Sequence, residues 1–346
     1  MKKLLSLVLI ITLVATFFVA CGDNRIVLNV YNVGDYINED VLDLFEEEYP
    51  NIRVNYETYY SNEEMYVKVA NGGSSYDVVF PSDYMVQRMI EEGLLNKINF
   101  ENIPNIKNIG DAYMGHDYDP NGEYSVPYMW GTMGVLYNKE MVKEPVTSWK
   151  VLWDEKYAKE IFMLNSERDT IGITLKMLGY SMNSSDDKEL EAAKNALVKQ
   201  KDLVLAYSGD EVKDKMINEE GALTVAWSGD AFYCMAENEN LAYAIPEEGS
   251  NLWFDAMVIP TTSTHQAEAE LFINFMSRPD IAKMNAEYIG YSTPNVEAQK
   301  LLPDDVKNNP LRYPDISALS NLEVFKYDKI LVKKQSELWQ QVKINN

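Results

Sequence analysis

Cysteine and histidine are scarce in this 346-residue sequence, which holds two of each: Cys21 and Cys234, His116 and His265. Two cysteines make no disulfide framework, and two isolated histidines without ligand-spaced company make no metal site, so no metal is expected. Basic side chains are also in short supply. The 31 Lys and Arg against 54 Asp and Glu leave a formal charge of −23. A surface of that sign repels phosphate backbones, so nucleic acid is not an expected partner, while small cations are drawn toward any cleft. Gly-x-Ser-x-Gly, P-loop and dinucleotide fingerprints are missing, so no cofactor is implied. Segment 117–128, DYDPNGEYSVPY, begins like a calcium loop with Asp117, Asp119, Asn121 and Gly122. Tyr128 stands where the bidentate glutamate belongs and Pro120 stiffens the turn, so it reads as a polar turn.

Long apolar runs are confined to the N-terminus, MKKLLSLVLIITLVATFFVAC. Two lysines followed by an apolar stretch too short for a comfortable bilayer span read as an export signal over residues 1–20. Its end, Phe18-Val19-Ala20-Cys21, resembles the lipobox of bacterial lipoproteins, in which cleavage precedes a cysteine that is then lipidated. That places Cys21 as a lipid anchor, residues 21–25 as a tether, and the mature protein outside the cytoplasmic membrane. An ordinary signal cut after Ala20 is the alternative. Cys234 is expected to pack as a small buried hydrophobe.

What is abundant is apolar, at 46% of residues with 25% charged, the composition of a globular chain. At this length one core stops growing, and two lobes are expected. Strand-like runs at 26–32, 51–58 and 76–81 alternate with helical spacing at 41–49 and 63–70, the pattern of a parallel sheet covered on both faces. Ligands in such sheets sit beyond the carboxyl ends of the strands, where Asp35-Tyr36 and Ser82-Asp83-Tyr84 fall. Asp35 and Ser82 serve equally as helix caps. A helix-like 147–157, a strand 161–164 with Asp169 just past its end, a charged helix 185–199, a strand 222–227, a strand 256–260 returning to the first lobe and an amphipathic helix 266–276 follow. Glycines 131 and 134, after the aromatic patch Pro127-Tyr128-Met129-Trp130, are expected to let the chain bend between lobes.

The most unusual pairings lie in TVAWSGDAFYCMAENENLAYAIPEEGSNLWFD, where Trp227 precedes Asp230 and Trp253 precedes Asp255. An indole face attracts a cation and covers methylenes, and a nearby carboxylate pairs with an ammonium. Together they describe a site for an apolar chain with positive ends. Core tryptophans and turn-capping aspartates are the plainer alternative.

YETYYSNEEMYVKV, DVVFPSDYMVQRM, YSVPYMWGTMGVLYN, AWSGDAF, PEEGSNLWFDAMVIP and INFMSRPDIAK followed by IGYSTPN resemble the spermidine/putrescine-binding lipoproteins of bacterial polyamine ABC transporters. The resemblance implies an α/β, two-lobe periplasmic-binding-protein fold (type II) with a hinge and the ligand in the cleft. It implies residues 26–130 with 255–301 as one lobe and 131–254 with 302–346 as the other. It further implies a non-enzymatic protein that hands putrescine or spermidine to the permease of an ABC transporter. Position by position it places an aromatic box on Tyr36, Tyr84, Trp227, Trp253 and Tyr291, anionic contacts on Asp169 and Asp255, and a hydrogen-bonding serine on Ser82. Asp35 and Asp230 complete the ammonium partners. Spermidine-preferring members resemble Trp-Thr-Glu-Tyr where this chain has Val33-Gly34-Asp35-Tyr36, and carry a further acid where Ser166 stands. Putrescine-preferring members share Asp35 and Trp-x-Gly-Asp but tend to have phenylalanine at 253. The pocket is thus mixed, leaning slightly toward putrescine or dual use. A secreted glycosidase and a binding protein for a neutral oligosaccharide are the rival readings, since tryptophans and carboxylates also suit sugars.

Overall fold

The computed structural model describes residues 23–72, 75–316 and 321–344; the expected signal and Cys21 lie outside them. The chain opens with β1 (Ile26–Val33), α1 (Asp40–Glu48), β2 (Ile52–Tyr59), α2 (Asn62–Ala70), β3 (Val78–Val79) and α3 (Asp83–Glu91). β1 pairs in parallel with β2, from Ile26 opposite Ile52 to Val33 opposite Tyr59, and with β3 on its other side. Ser61 starts α2 by accepting the Glu64 N–H, which meets one of the donors a helix start leaves open.

β4 (Ser125–Asn138) is the central element. It carries the chain through two 3-10 turns, Trp149–Trp153 and Glu155–Tyr157, into β5 (Ile161–Leu164), α4 (Glu167–Met177), α5 (Asp187–Gln200), β6 (Val204–Ser208), α6 (Val212–Ile217), β7 (Leu223–Trp227), α7 (Ser228–Glu237) and β8 (Leu241–Ala244). β9 (Leu252–Val258) then returns, followed by α8 (Gln266–Met276), α9 (Pro279–Ile289), α10 (Val296–Leu301), α11 (Asp304–Lys307) and α12 (Lys329–Ile344). The strand order is β2-β1-β3-β9-β4-β7-β5-β6, with β8 also on β4.

Two α/β lobes share β4. Its first half, Ser125 to Thr132, lies antiparallel to β9, which joins β3; its second half, from Met133, pairs with β7 and β8. A further link runs outside the sheet. Glu323 exchanges backbone hydrogen bonds with Ser250 and Leu252 and pairs with Lys176, and four residues on, the Tyr327 N–H donates to the Gln87 side chain of α3. Three chain segments thus tie the lobes beside the cleft.

The sequence reading differs from the structure in three places. Residues 147–157 form 3-10 turns rather than an α-helix, with Trp149 buried. The strand expected at 256–260 begins four residues earlier, so Trp253 and Asp255 lie within it. Gly131 and Gly134 do not bend the chain; they sit inside β4 where a Cβ would come within 2.5 Å of Trp253 and 2.4 Å of the Ala244 carbonyl. Segment 117–128 is the polar turn expected. Asp119 points inward and accepts from the Glu123, Tyr124 and Ser125 N–H groups and the Ser125 hydroxyl.

Candidate functional site

Strand alternation places Trp253 and Asp255 on one face of β9 and Phe254 on the other. Phe254 is fully buried, with its ring 4.4 Å from that of His116. Trp253 lies opposite Gly131 and Trp227 opposite Met133, on the two sides of β4. Opposite residues of an antiparallel pair share a face, so both indoles rise from the same side of the sheet. The bare Gly131 lets the Trp253 indole and the Ser228 hydroxyl lie directly on β4, where a Cβ would come within 2.5 Å of each.

Asp255 is the hub of the first lobe's contribution. Its carboxylate accepts from the Tyr36 hydroxyl at 2.6 Å and from the Ser82 hydroxyl at 2.6 Å. Ser82 occupies the N-cap position of α3 but makes no side-chain cap bond; its hydroxyl serves Asp255 and accepts from the Asn62 amide. Burial pushes the Asp255 carboxyl up, opposed by these two hydroxyls and by the charge of Arg168. The hydroxyls are its hydrogen-bond partners and neither is a cation. Next to Ser82, Asp83 is also buried and holds the site's backbone, accepting from the Tyr84 and Phe254 N–H groups at 2.6 and 3.0 Å. Burial carries its carboxyl up to about 7.

Tyr291 follows α9 and reaches across to the second lobe. Its ring lies 5.1 Å from Trp253 and 5.6 Å from Tyr36, both edge-on, and its hydroxyl donates to Asp230 at 3.0 Å. Edge-to-face contact suits the ring quadrupoles. Burial holds the Tyr36 and Tyr291 phenols well above their usual range, with the neighbouring acids adding to it, so both remain donors. Asp230 stands in the first turn of α7 beside Lys213, whose ammonium lies 3.5 Å away. Burial raises Asp230 as well, opposed by Lys213.

Asp169 is buried in the first turn of α4, where it accepts from the Ser166 hydroxyl at 2.6 Å. Arg168 beside it reaches back to the first lobe. The guanidinium carbon sits 3.7 Å from the Tyr84 ring centre, its Nε lies 3.6 Å from Asp169, and the Nε–H is buried without a hydrogen bond. Burial works against this charge, but Tyr84, Asp169, Asp83 and Glu63 outweigh it and hold the guanidinium above its ordinary value.

The fold therefore gathers nine of the ten residues singled out in the sequence. Asp35 is the tenth. It stands exposed on the turn after β1, and among the described residues no hydrogen bond or ion pair ties it to the others. Sequence reasoning placed Asp83 at the strand mouth without giving it a role, and missed Arg168, Lys213 and the seat that Gly229 provides. Arg168 and Gly229 were marked only by adjacency to Asp169 and Asp230, nothing in the chain marked Lys213, and neither lysine nor arginine is looked for in a cation site.

The arrangement sets indole and phenol rings beside the carboxylates of Asp169, Asp230 and Asp255. Among the described residues no cluster suits a metal ion. The sequence profile described as bacterial extracellular solute-binding protein matches residues 40–314. The spermidine/putrescine-binding periplasmic protein of Escherichia coli K12 is 37% identical over 306 residues, covering 88% of each chain. Solved structures share the fold, two of them as follows. PotD of Streptococcus pneumoniae, a spermidine/putrescine ABC transporter substrate-binding protein, superposes with a TM-score of 0.85 at 43% identity, over 93% of this chain and 99% of its own. The TpPotD lipoprotein of Treponema pallidum gives 0.82 at 26% identity, over 91% and 99%.

Proposed function

This chain belongs to the bacterial extracellular solute-binding proteins, and from that premise we propose that it binds a polyamine, putrescine or spermidine, outside the cytoplasm and delivers it to the permease of an ABC transporter. The observation that carries this reading is Asp255: a half-buried carboxylate held by two hydroxyls, with Trp253 two residues away on the same strand face.

Polyamine amines titrate near the lysine value of about 10.4, so the ligand arrives as a polycation. Burying an ammonium without a partner is prohibitive, which makes Asp255 the anchor for one end. Asp230 and Asp169 supply acceptors from the second lobe. Trp227, Trp253, Tyr36, Tyr84 and Tyr291 cover the methylenes, each cation–π contact contributing about 0.5 to 2 kcal/mol. A micromolar complex needs about 8 kcal/mol net, which a few such contacts reach after ordering and desolvation are subtracted.

Closure follows from where these groups reside. Tyr36, Ser82, Tyr84 and Asp255 belong to the first lobe, and Asp169, Trp227 and Asp230 to the second. A ligand touching both sets binds the closed form better than the open one, and that difference shifts the equilibrium toward the form a permease reads. We place the lobe boundaries where the chain crosses on β4 and β9, near residues 131 and 255, and lipidation on Cys21, which would tether the protein to the membrane. No group in the cage is assigned catalysis. Neither the neutral-oligosaccharide nor the glycosidase reading gains support from the site or the relatives.

Titration calorimetry of residues 22–346 with putrescine and spermidine tests the reading. Saturable, salt-weakened binding of either amine supports it; no heat with either, alongside saturable binding of a neutral oligosaccharide, rejects it.

A further inference from the structure

Two of the cage's carboxylates already have cations from the chain itself. Arg168 lies against Asp169 at 3.6 Å and covers the Tyr84 ring at 3.7 Å, and Lys213 lies 3.5 Å from Asp230. Both cations come from the second lobe, on α4 and α6. Asp255 has hydroxyl partners alone. Each protein cation thus already offsets a carboxylate that a ligand ammonium would otherwise meet alone.

We infer that Arg168 and Lys213 are resident counter-cations that set the charge of the ligand, and that the cage consequently selects a diamine over longer polyamines. This rests on the polyamine reading above. The cage's ion-pairing groups are Asp169, Asp230 and Asp255 against Arg168 and Lys213, an excess of one negative charge, since Asp83 is engaged by the Tyr84 and Phe254 N–H groups and keeps its proton up to about pH 7. A putrescine- or cadaverine-length dication exceeds that by one positive charge, whereas a triamine exceeds it by two in a low-dielectric site. Of the surrounding acids, Glu63 and Asp210 are exposed and screened by solvent, although Glu63 accepts from the Tyr84 hydroxyl and adds to the field at Arg168, and Glu167 bonds the Ser336 hydroxyl with Lys343 and Arg168 nearby. Arg168 also shortens the room for methylenes. Its guanidinium covers one face of Tyr84 and leaves only the rest of that ring for methylenes, and a chain extending past Asp169 would have to displace a cation held by both lobes.

The test compares putrescine and spermidine by titration calorimetry on residues 22–346 of the wild type, Arg168→Gln, Arg168→Lys and Lys213→Met, each checked for cooperative melting. Expected are putrescine binding at least tenfold tighter than spermidine in the wild type, a shift of the affinity ratio of at least tenfold toward spermidine in Arg168→Gln and in Lys213→Met, and a ratio within threefold of wild type in Arg168→Lys. Lys213 is partly exposed, so Lys213→Met decides the matter if Arg168→Gln does not fold. A wild type that prefers spermidine, or a wild-type ratio kept by the folded neutral variants, overturns the inference while leaving the polyamine reading intact. A wild type that binds neither amine rejects that reading itself.

Discussion

The ring of Tyr291 lies directly on Gly229: a Cβ built at 229 would fall 1.2 Å from the Tyr291 Cδ1 atom. Glycine at the start of α7 is therefore what lets a first-lobe tyrosine reach Asp230 on the second lobe and lean on Trp253. An alanine there leaves each lobe's own core untouched but holds the lobes apart. Gly229→Ala is expected to weaken putrescine binding at least tenfold with the melting temperature nearly unchanged, measured by titration calorimetry and thermal unfolding. Unaltered affinity would show that Tyr291 does not need this seat.

Asp255→Asn keeps the shape of the anchor and removes its charge. The Tyr36 and Ser82 hydroxyls both donate to the carboxylate, and the amide nitrogen cannot accept from one of them. Loss of a buried charge pair with the ligand predicts putrescine binding weaker by tenfold or more in calorimetry, since truncating one partner of such a pair costs about 2 kcal/mol or more. Wild-type affinity in this variant would remove Asp255 from the anchor role.

Much of the fold is legible in the sequence because its signals are local. The alternation of β1, α1, β2, α2 and β3 shows in period and composition, and α8 matches its amphipathic stretch residue for residue. The bounds of β9 were not, because Leu252 to Val258 is nearly all apolar and gives no alternation to count. Gly131 and Gly134 look like hinge residues in one dimension; only the approach of Trp253 and Tyr243 across β4 shows what they do. Of the site, the pairing of indoles with acids was visible. The countering cations were not, because their meaning depends on Arg168 crossing to Tyr84 and on Lys213 facing Asp230 from a different helix.

Asp83 gives the free protein a pH signature. Burial raises its carboxyl from an ordinary 3.8 to about 7. Between those values the folded protein keeps a proton that the unfolded chain has released, so this group's contribution to stability falls as pH rises through that window. The difference in melting temperature between wild type and Asp83→Asn is expected to be larger at pH 5 than at pH 7.5. A difference that is constant, or larger at the higher pH, contradicts the raised carboxyl.

Asp119 is structural despite its resemblance to a calcium ligand. Asp119→Ala leaves three N–H groups and the Ser125 hydroxyl without their acceptor. With orphaned buried donors costing about 1–3 kcal/mol each where water cannot reach them, thermal melting should drop by several degrees while putrescine affinity stays within threefold. A drop in affinity with unchanged melting would move this turn into the functional site.

The most direct measurement is a crystal structure grown with excess putrescine. The account predicts an extended diamine between Trp227 and Trp253, one nitrogen within hydrogen-bonding distance of Asp255, and Tyr291 seated on Gly229. A cleft with no diamine in it, or a diamine bound away from Asp255 with both indoles buried in their own lobes, would contradict it.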